Sequence, residues 1–498
     1  MNFSKSKYCG FCQCPKLAWL KKYKPEVEVV PEDLQKRFEV GTAVGELAKG
    51  LFGDYTDVTV RDGGKLHIKQ MLENTKAEID KGTEVICEAA FSFEGLYCAC
   101  DILKKEGNAW SIYEVKSSTD GEKDAYLPDL AYQKYVLEHC GLTINKTYTV
   151  VINNEYVLED KLDIHEFFKI TDISDAILEE YEKVEDNLAE AEKILAMEDE
   201  PEIGLSCNCH KPYDCSFFQY CSRDLPTPSV FDLYRLNFDK KLKFYNQGIV
   251  SFDELNNYHD MLNEKQQRQV DYFLNDFGLY AEPEKIKEFL DSLSYPLYFL
   301  DFETMQDAIP RFKGTHPYQQ ITFQYSLHYI EEEGGELKHK EFLAESGPDP
   351  RRALAEQLVA DIPMDVCTTA YNKGFECGRI KELADAYPDL ADHLLNIRDH
   401  IEDLLVPFSK GWMYNKEMGG SFSIKSVLPA LFPDDPELDY HNLDQVHHGG
   451  EAMAIFPAIE HMNDEDKKRA RHNLLKYCEL DTYAMVKVWE ALREASQQ

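Results

Sequence analysis

The run Leu297-Tyr298-Phe299-Leu300-Asp301-Phe302-Glu303-Thr304 places two carboxylates one residue apart at the end of an apolar, strand-forming stretch. The period of two in a strand puts both on one face. Turning two acids inward is costly unless a cation compensates, and hard divalent ions take carboxylate oxygens; the alternative is a cap on a strand end in a solvated loop. Ala370-Tyr371-Asn372-Lys373-Gly374-Phe375-Glu376 follows a strand and opens a helix, and Tyr477 and Asp481 fall at i and i+4 on one face of a late helix. Asp403 is a competing acid. Upstream, Asp101 and Glu114 sit on successive strands around a turn near Gly107-Asn108, and Glu114 and Lys116 share a face. The two carboxylates can hold a divalent ion through their oxygens, and the Lys116 ammonium can position a water, help deprotonate it, or stabilise a phosphate; a surface ion pair is the plain alternative. Gln133, on a helix from about Leu127, could orient Lys116 or a phosphate, and Glu88 and Glu46 are possible extra ligands.

Fourteen cysteines divide unequally. Cys87, Cys98, Cys100, Cys140, Cys367, Cys377 and Cys478 are single, in apolar segments, and read as small core residues. Cys209, Cys215 and Cys221 recur at intervals of six and need a fourth sulfur to complete a cubane cluster, for which Cys14 is the chosen donor. A zinc site drawing on Cys9-Gly10-Phe11-Cys12 is the competing reading, although zinc ribbons use two such knuckles and only one occurs.

These residues need scaffolds. The pattern predicts a helix over 31–52, strands at 85–94, 96–104 and 109–116, a helix at about 127–140, a strand at 146–152, and an acidic helical excursion over 163–200. Residues 226–292 read as a polar helical connector. A second α/β pattern follows, with strands near 297–303, 321–330, 338–344 and 366–371, a helix at 351–360, and helices to the end. The expected class is multidomain α/β, divided at 1–225, 226–292 and 293–498.

The first constellation resembles the PD-(D/E)xK nucleases of the RecB-like group, over about residues 1–225, which implies a restriction-endonuclease-like α/β core with Glu88, Asp101 and Glu114 as metal ligands and Lys116 and Gln133 as catalytic residues. Relatives often carry histidine where Glu46 stands. One N-terminal and three C-terminal cysteines flanking that core resemble the iron–sulfur members, implying a [4Fe–4S] cluster on Cys14, Cys209, Cys215 and Cys221. The second constellation resembles the DEDD exonucleases of the DnaQ-like, ribonuclease H-like superfamily, implying that Asp301, Glu303, Glu376 and Asp481 bind two magnesium or manganese ions about 4 Å apart, with Tyr477 orienting water. Glu376 replaces the usual aspartate. The whole chain, with Pro317-Tyr318-Gln319-Gln320 and Ser423-Ile424-Lys425-Ser426-Val427-Leu428-Pro429, resembles an uncharacterised bacterial family that fuses these two nuclease modules.

The resemblance implies a metal-dependent nuclease with a 3′-to-5′ exonuclease site, acting on DNA in preference to RNA, in repair or defence against foreign DNA. Against it stands a formal charge of -37, since nucleic-acid affinity draws on Lys and Arg. A nucleic-acid-binding scaffold with degenerate sites and a cysteine-based redox sensor are therefore carried as alternatives. No apolar run of about 18 residues occurs, and Met1–Lys7 lacks a signal-peptide pattern; the expectation is a cytoplasmic protein without a membrane partner.

Overall fold

A computed structural model describes residues 3–31 and 34–497. The chain is mixed α/β and divides into two compact units, residues 1–224 with 307–319, and residues 225–306 with 320–498.

In the first unit, Ser4 caps α1 (Lys5–Gln13), and Cys14 breaks the chain before α2 (Pro15–Tyr23), with Pro15 at the first position of the new helix. The start of the helix expected over 31–52 falls on residues 32 and 33, outside the described residues; the helix itself, α3, runs Leu34–Ala48. After α4 (Ile68–Lys81) come β1 (Val85–Phe93), β2 (Leu96–Glu106) and β3 (Ala109–Lys116), then α5 (Leu127–His139) and β4 (Ile144–Ile152). β1 to β3 form an antiparallel meander, and β4 joins β3 in parallel, α5 making the crossover. Residues 163–200 are not the continuous helix expected. Phe167 and Phe168 are buried, and the chain there forms β5 (Phe168–Asp172), antiparallel to β4, before α6 (Leu178–Ala196). Residues 307–319 join this unit through Leu158, which exchanges backbone hydrogen bonds with Gly314 and Thr315.

The second unit opens with residues 225–292, whose short helices, among them α7 (Phe238–Asn246), α8 (Glu264–Leu274) and α9 (Pro283–Asp291), carry an apolar cluster of Val230, Leu233, Phe252, Leu255 and Val270. A five-stranded sheet follows, built from β6 (Leu297–Met305), β7 (Ile321–Ile330), β8 (Lys338–Leu343), β9 (Cys367–Ala370) and β10 (Ile401–Asp403) in the order β8-β7-β6-β9-β10. β6 pairs antiparallel with β7 and parallel with β9. Around it lie α10 (Arg351–Asp361), α11 (Gly374–Ala386), α12 (Ile424–Leu431), α13 (Gly449–Ala458) and the 32-residue α14 (Asp464–Ala495). The tail is not wholly helical: β10 buries Ile401, and Met413–Asn415 buries Met413 while pairing with Leu279–Ala281.

Candidate metal centres and a cysteine-lined recess

Asp301 and Glu303 lie on β6, the central strand of the second sheet, with apolar Leu300 and Phe302 turned to the opposite face and packed into the core. α14 crosses the acid face and supplies Tyr477, Cys478 and Asp481, all buried. One oxygen each from Asp301 and Glu303 and the Cys478 sulfur lie within 4.8 Å of one another. Burial, reinforced by the charges of Asp481, Glu303 and Glu376, pushes the Asp301 carboxyl well above the ordinary carboxylate range. Burial and Asp481 do the same for Glu303. Asp481 is pushed by burial up to about 6, the Tyr440 hydroxyl acting against that rise. Glu376, in the first turn of α11, is pushed by burial up to about 8, and its Oε2 is buried without a hydrogen-bond partner. The four predicted acids thus act on one another, although Glu376 and Asp481 stay outside the 4.8 Å group.

Asp403 braces the backbone beside the site, and its charge adds to the rise of Glu376. Its Oδ1 accepts the backbone N–H of Asn372 at 2.8 Å and of Leu405 at 2.9 Å, fixing the turn from β9 into α11. Asn372 holds that turn at φ 69.

Three site residues escaped sequence reasoning. Cys478, read as core, donates weakly toward Asp301 at 3.8 Å. Tyr440 donates to Asp481 Oδ1 at 2.6 Å, from a loop with no periodic signal. Lys425 of α12 is exposed, with its Nζ 5.0 Å from the Tyr440 ring and 5.5 Å from the Tyr477 ring, and its charge acts on both Glu303 and Asp481. A lone cation among the apolar residues of Ile424–Leu431 was the available signal. Gly449, opening α13, is 3.6 Å from Glu303 Oε2 at its ideal Cβ position, so a helix N-terminus also faces the acids.

Two predictions arise here. Each raised carboxyl keeps its proton when folded and loses it when unfolded, between its ordinary value near 4 and its folded value. Unfolding then releases protons, so the stability present below about pH 4 is lost as pH rises toward 8. In EDTA, the melting temperature should fall by at least about 5 °C between pH 5 and pH 8, and saturating manganese should remove most of the slope; a flat profile in EDTA would contradict the clustering. Tyr440→Phe removes the hydroxyl that orients Asp481, and should weaken manganese binding at these acids by about 10–100-fold with an unchanged circular dichroism spectrum.

In the first unit, Ile102 of β2 faces Tyr113 of β3, which brings Asp101 beside Glu114. Asp101 Oδ2 accepts the Val115 N–H at 2.7 Å. Burial and Glu114 push Asp101 up to about 7, and burial raises Glu88 as well, with Lys49 opposing it. Glu88 sits at φ 57, between Cys87 facing Ile102 and Ala89 facing Cys100. Glu46 is 62% exposed and pairs with Lys49 at 2.5 Å, so the structure does not bring it to the cluster.

Gln133 Nε2 donates to Glu114 Oε2 at 2.7 Å and to Asp129 Oδ1 at 2.8 Å. Lys116 Nζ bridges the same two acids, at 2.8 Å and 2.7 Å. Lys5 of α1 adds a third donor to Glu114, at 2.7 Å. Lys5 and Asp129 were missed. Burial acts to lower the Lys116 ammonium, but Glu114 and Asp129 hold it well above the ordinary lysine value. The two carboxylates beside it thus favour the charged form of the side chain.

The sulfurs sort cleanly. Cys14, at the α1–α2 junction, and Cys209, Cys215 and Cys221 line one recess with Leu17 and Phe217. All four are free thiols, and the Cys215 thiol is pushed by burial up to about 11, with Cys14, Cys209 and Cys221 adding to the rise. Cys9 faces Asp129 and Lys5 instead, and Cys12 lies against Tyr8 and Asn187. The pair weighed as a zinc knuckle is thus directed away from this recess. Cys207 is exposed.

Residues 298–423 match the family model described as a domain of unknown function, DUF2779. That span covers Asp301, Glu303, Glu376 and Asp403 and stops short of Lys425, Tyr477 and Asp481. Among curated proteins, the chain is similar to Uncharacterized protein UU173 of Ureaplasma parvum, 25% identical over 39% of this chain and 31% of that protein. It is also similar to the Uncharacterized protein MG366 homolog of Mycoplasma pneumoniae, 23% identical over 51% of this chain and 39% of that protein. The chain therefore spans about a third of the length of these relatives. Among the described residues no helix is long and apolar enough to cross a membrane.

Proposed function

We propose that the protein is a metal-dependent nuclease whose second unit is a 3′-to-5′ exonuclease of the DEDD, ribonuclease H-like kind, and whose first unit is a RecB-like PD-(D/E)xK nuclease stapled by a [4Fe–4S] cluster. The observation that carries the reading is that Asp301 and Glu303 stand together beside Cys478, with the charges of Asp481 and Glu376, from α14 and α11, acting on both and Tyr477 against Asp481. Such a group is destabilising without a cation, and Glu376 Oε2 is buried with no hydrogen-bond partner among the described residues. The order β8-β7-β6-β9-β10, three antiparallel strands continued by two parallel ones, also suits that fold.

Magnesium or manganese held by these oxygens would supply Lewis-acid stabilisation of charge at the phosphodiester. The protein's own groups do the rest. Tyr477 keeps its proton, because burial and Asp481 hold the phenol far above its ordinary value, so it orients water as a donor. Lys425 offers an exposed ammonium to a phosphate oxygen. In the first unit Glu88, Asp101 and Glu114 would hold the ion, Gln133 fixes Glu114 and Lys116 presents a permanent charge. Cys14, Cys209, Cys215 and Cys221 match the four-thiolate complement of a cubane cluster.

A second reading has its own observation: Lys5, Lys116 and Gln133 already occupy Glu114. It makes the first unit a binding module for nucleic acid with an idle site. End-labelled single-stranded DNA and RNA, incubated with full-length protein and magnesium or manganese, test both. Degradation should be metal-dependent, stronger on DNA, and abolished in an Asp301→Ala, Lys116→Ala double variant; identical behaviour of the two proteins would end the proposal. The Lys116→Ala single variant assigns the first site.

A further inference from the structure

The chain carries 91 acidic side chains against 54 Lys and Arg, so a cation on its surface ordinarily has a carboxylate nearby. Four cations of the second unit are instead gathered against one another. Lys265 and Arg268, one turn apart on α8, donate to the backbone carbonyls of Ser409 and Gly411. Lys410 sits between those carbonyls and is exposed, and Arg235 is exposed beside Tyr234. The Tyr234 ring has Arg235 at 5.5 Å and Lys265 at 5.8 Å, and the Arg268 guanidinium lies 3.6 Å over the Tyr280 ring. The packing is close: a Cβ at Gly411, held at φ 81, would stand 3.0 Å from Arg268 Nη1 and 3.4 Å from Lys265 Cγ.

Among the described residues none of the four forms an ion pair with a carboxylate, and Glu282 is the acid nearest in effect, acting with Arg268. The groups acting on Lys265 are its own burial and then three cations, Arg235, Lys410 and Arg268, all disfavouring its charge. Carbonyl contacts explain why Lys265 and Arg268 are where they are. They do not explain why Lys410 and Arg235 are added to them, since each raises the repulsion without a carboxylate to offset it.

The cluster is also connected to the acids. Tyr234 packs on Phe422 with ring centres 4.3 Å apart, and Tyr371 donates to the Phe422 carbonyl at 2.7 Å. Three residues after Phe422 comes Lys425, over Tyr440 and Tyr477. A chain of interior contacts through the buried Tyr234 and Phe422 therefore links the segment that carries Lys425 to the cations beside Tyr234, within one unit.

We propose that Arg235, Lys265, Arg268 and Lys410 form a phosphate-backbone subsite for a single-stranded polynucleotide whose end lies at Asp301 and Glu303, an inference that rests on the nuclease reading. Cations along a groove track a strand's phosphates without reading its sequence, and their contribution is strongly salt-dependent. The partner is a polyanion of several phosphates, since four neighbouring cations outnumber the charges of a single phosphate.

The test uses the full chain and an Arg235→Glu, Lys410→Glu variant, both exposed positions outside the catalytic group. Binding of a fluorescent oligothymidylate of about 20 nucleotides is followed by anisotropy in EDTA across a salt series. The variant should bind at least tenfold more weakly, and its slope of log affinity against log salt should be shallower by about 1.4, because two phosphates are no longer neutralised by protein cations. Hydrolysis of thymidine 5′-p-nitrophenyl phosphate, which carries a single phosphate, should be unchanged. Equal affinity and slope in the two proteins would overturn the proposal, as would full displacement of the strand by polyglutamate at equal charge, which would assign the cluster to an acidic protein surface. If wild type fails to hydrolyse the small ester while the binding difference persists, the catalytic reading falls and the subsite stands.

Discussion

Asp301→Asn, in a Lys116→Ala background that silences the first site, should lower exonuclease turnover on the order of 10³-fold while raising the melting temperature of the metal-free protein. The loss follows from the role assigned to the acids: charge stabilisation by a bound cation is worth several kcal/mol, at about 1.4 kcal/mol per decade of rate. The gain follows from the electrostatics. Asp301 sits among Asp481, Glu303 and Glu376, and its ionised form is disfavoured by burial and by all three. An asparagine has nearly the same shape and no charge to suppress, so it removes the cost of holding a proton on this carboxyl, a cost present only while the cation is absent. Opposite signs for activity and stability separate a catalytic acid from a structural one, whose loss would lower both. An active Asp301→Asn protein would refute the assignment outright.

Cys215→Ser should abolish the brown absorbance at about 400 nm expected of anaerobically purified protein, together with its acid-labile sulfide, and should destabilise the first unit by up to roughly 5 kcal/mol. The magnitude comes from chain entropy: Cys14 and the other three sulfurs are separated by about 200 residues, and a covalent link closing a loop of that length removes this much from the unfolded ensemble. Cys9→Ser provides the control, because that thiol faces Asp129 and Lys5 rather than the recess. One zinc per chain and no sulfide in the wild type would replace the cluster with a four-sulfur zinc site.

Legibility in the sequence followed from the range of the interactions involved. The meander β1 to β3 and the strand β6 were visible because alternation and apolar content are local properties, and Asp101, Glu114 and Lys116 inherit their faces from that alternation. Asp301 and Glu303 were equally plain. Asp129 and Lys5 were not, since nothing near either residue announces a partner more than ten or a hundred positions away: Lys5 reaches Glu114 only because α1 folds against α5. Tyr440 lies in a short 3-10 turn without periodicity, and Cys478 looked like any small apolar residue until its neighbour proved to be Asp301. The strand Phe168–Asp172 was hidden in an acidic stretch because its exposed edge is polar and only its first residue is buried. Glu46 misled for the reverse reason: it sits on the expected helix, and a local cation, Lys49, captures it.

The backbone at Glu88 has a consequence for anyone who improves this protein. A side-chain-bearing residue at φ 57 is held there at a cost of about 1 kcal/mol or more, and glycine would adopt that conformation freely. Glycine would also relieve a carboxylate whose charge is disfavoured by burial. A laboratory screen rewarding heat resistance alone should thus drift toward Glu88→Gly and deliver hardier variants stripped of the oxygen proposed to hold an ion, unless survival is scored together with the proposed activity.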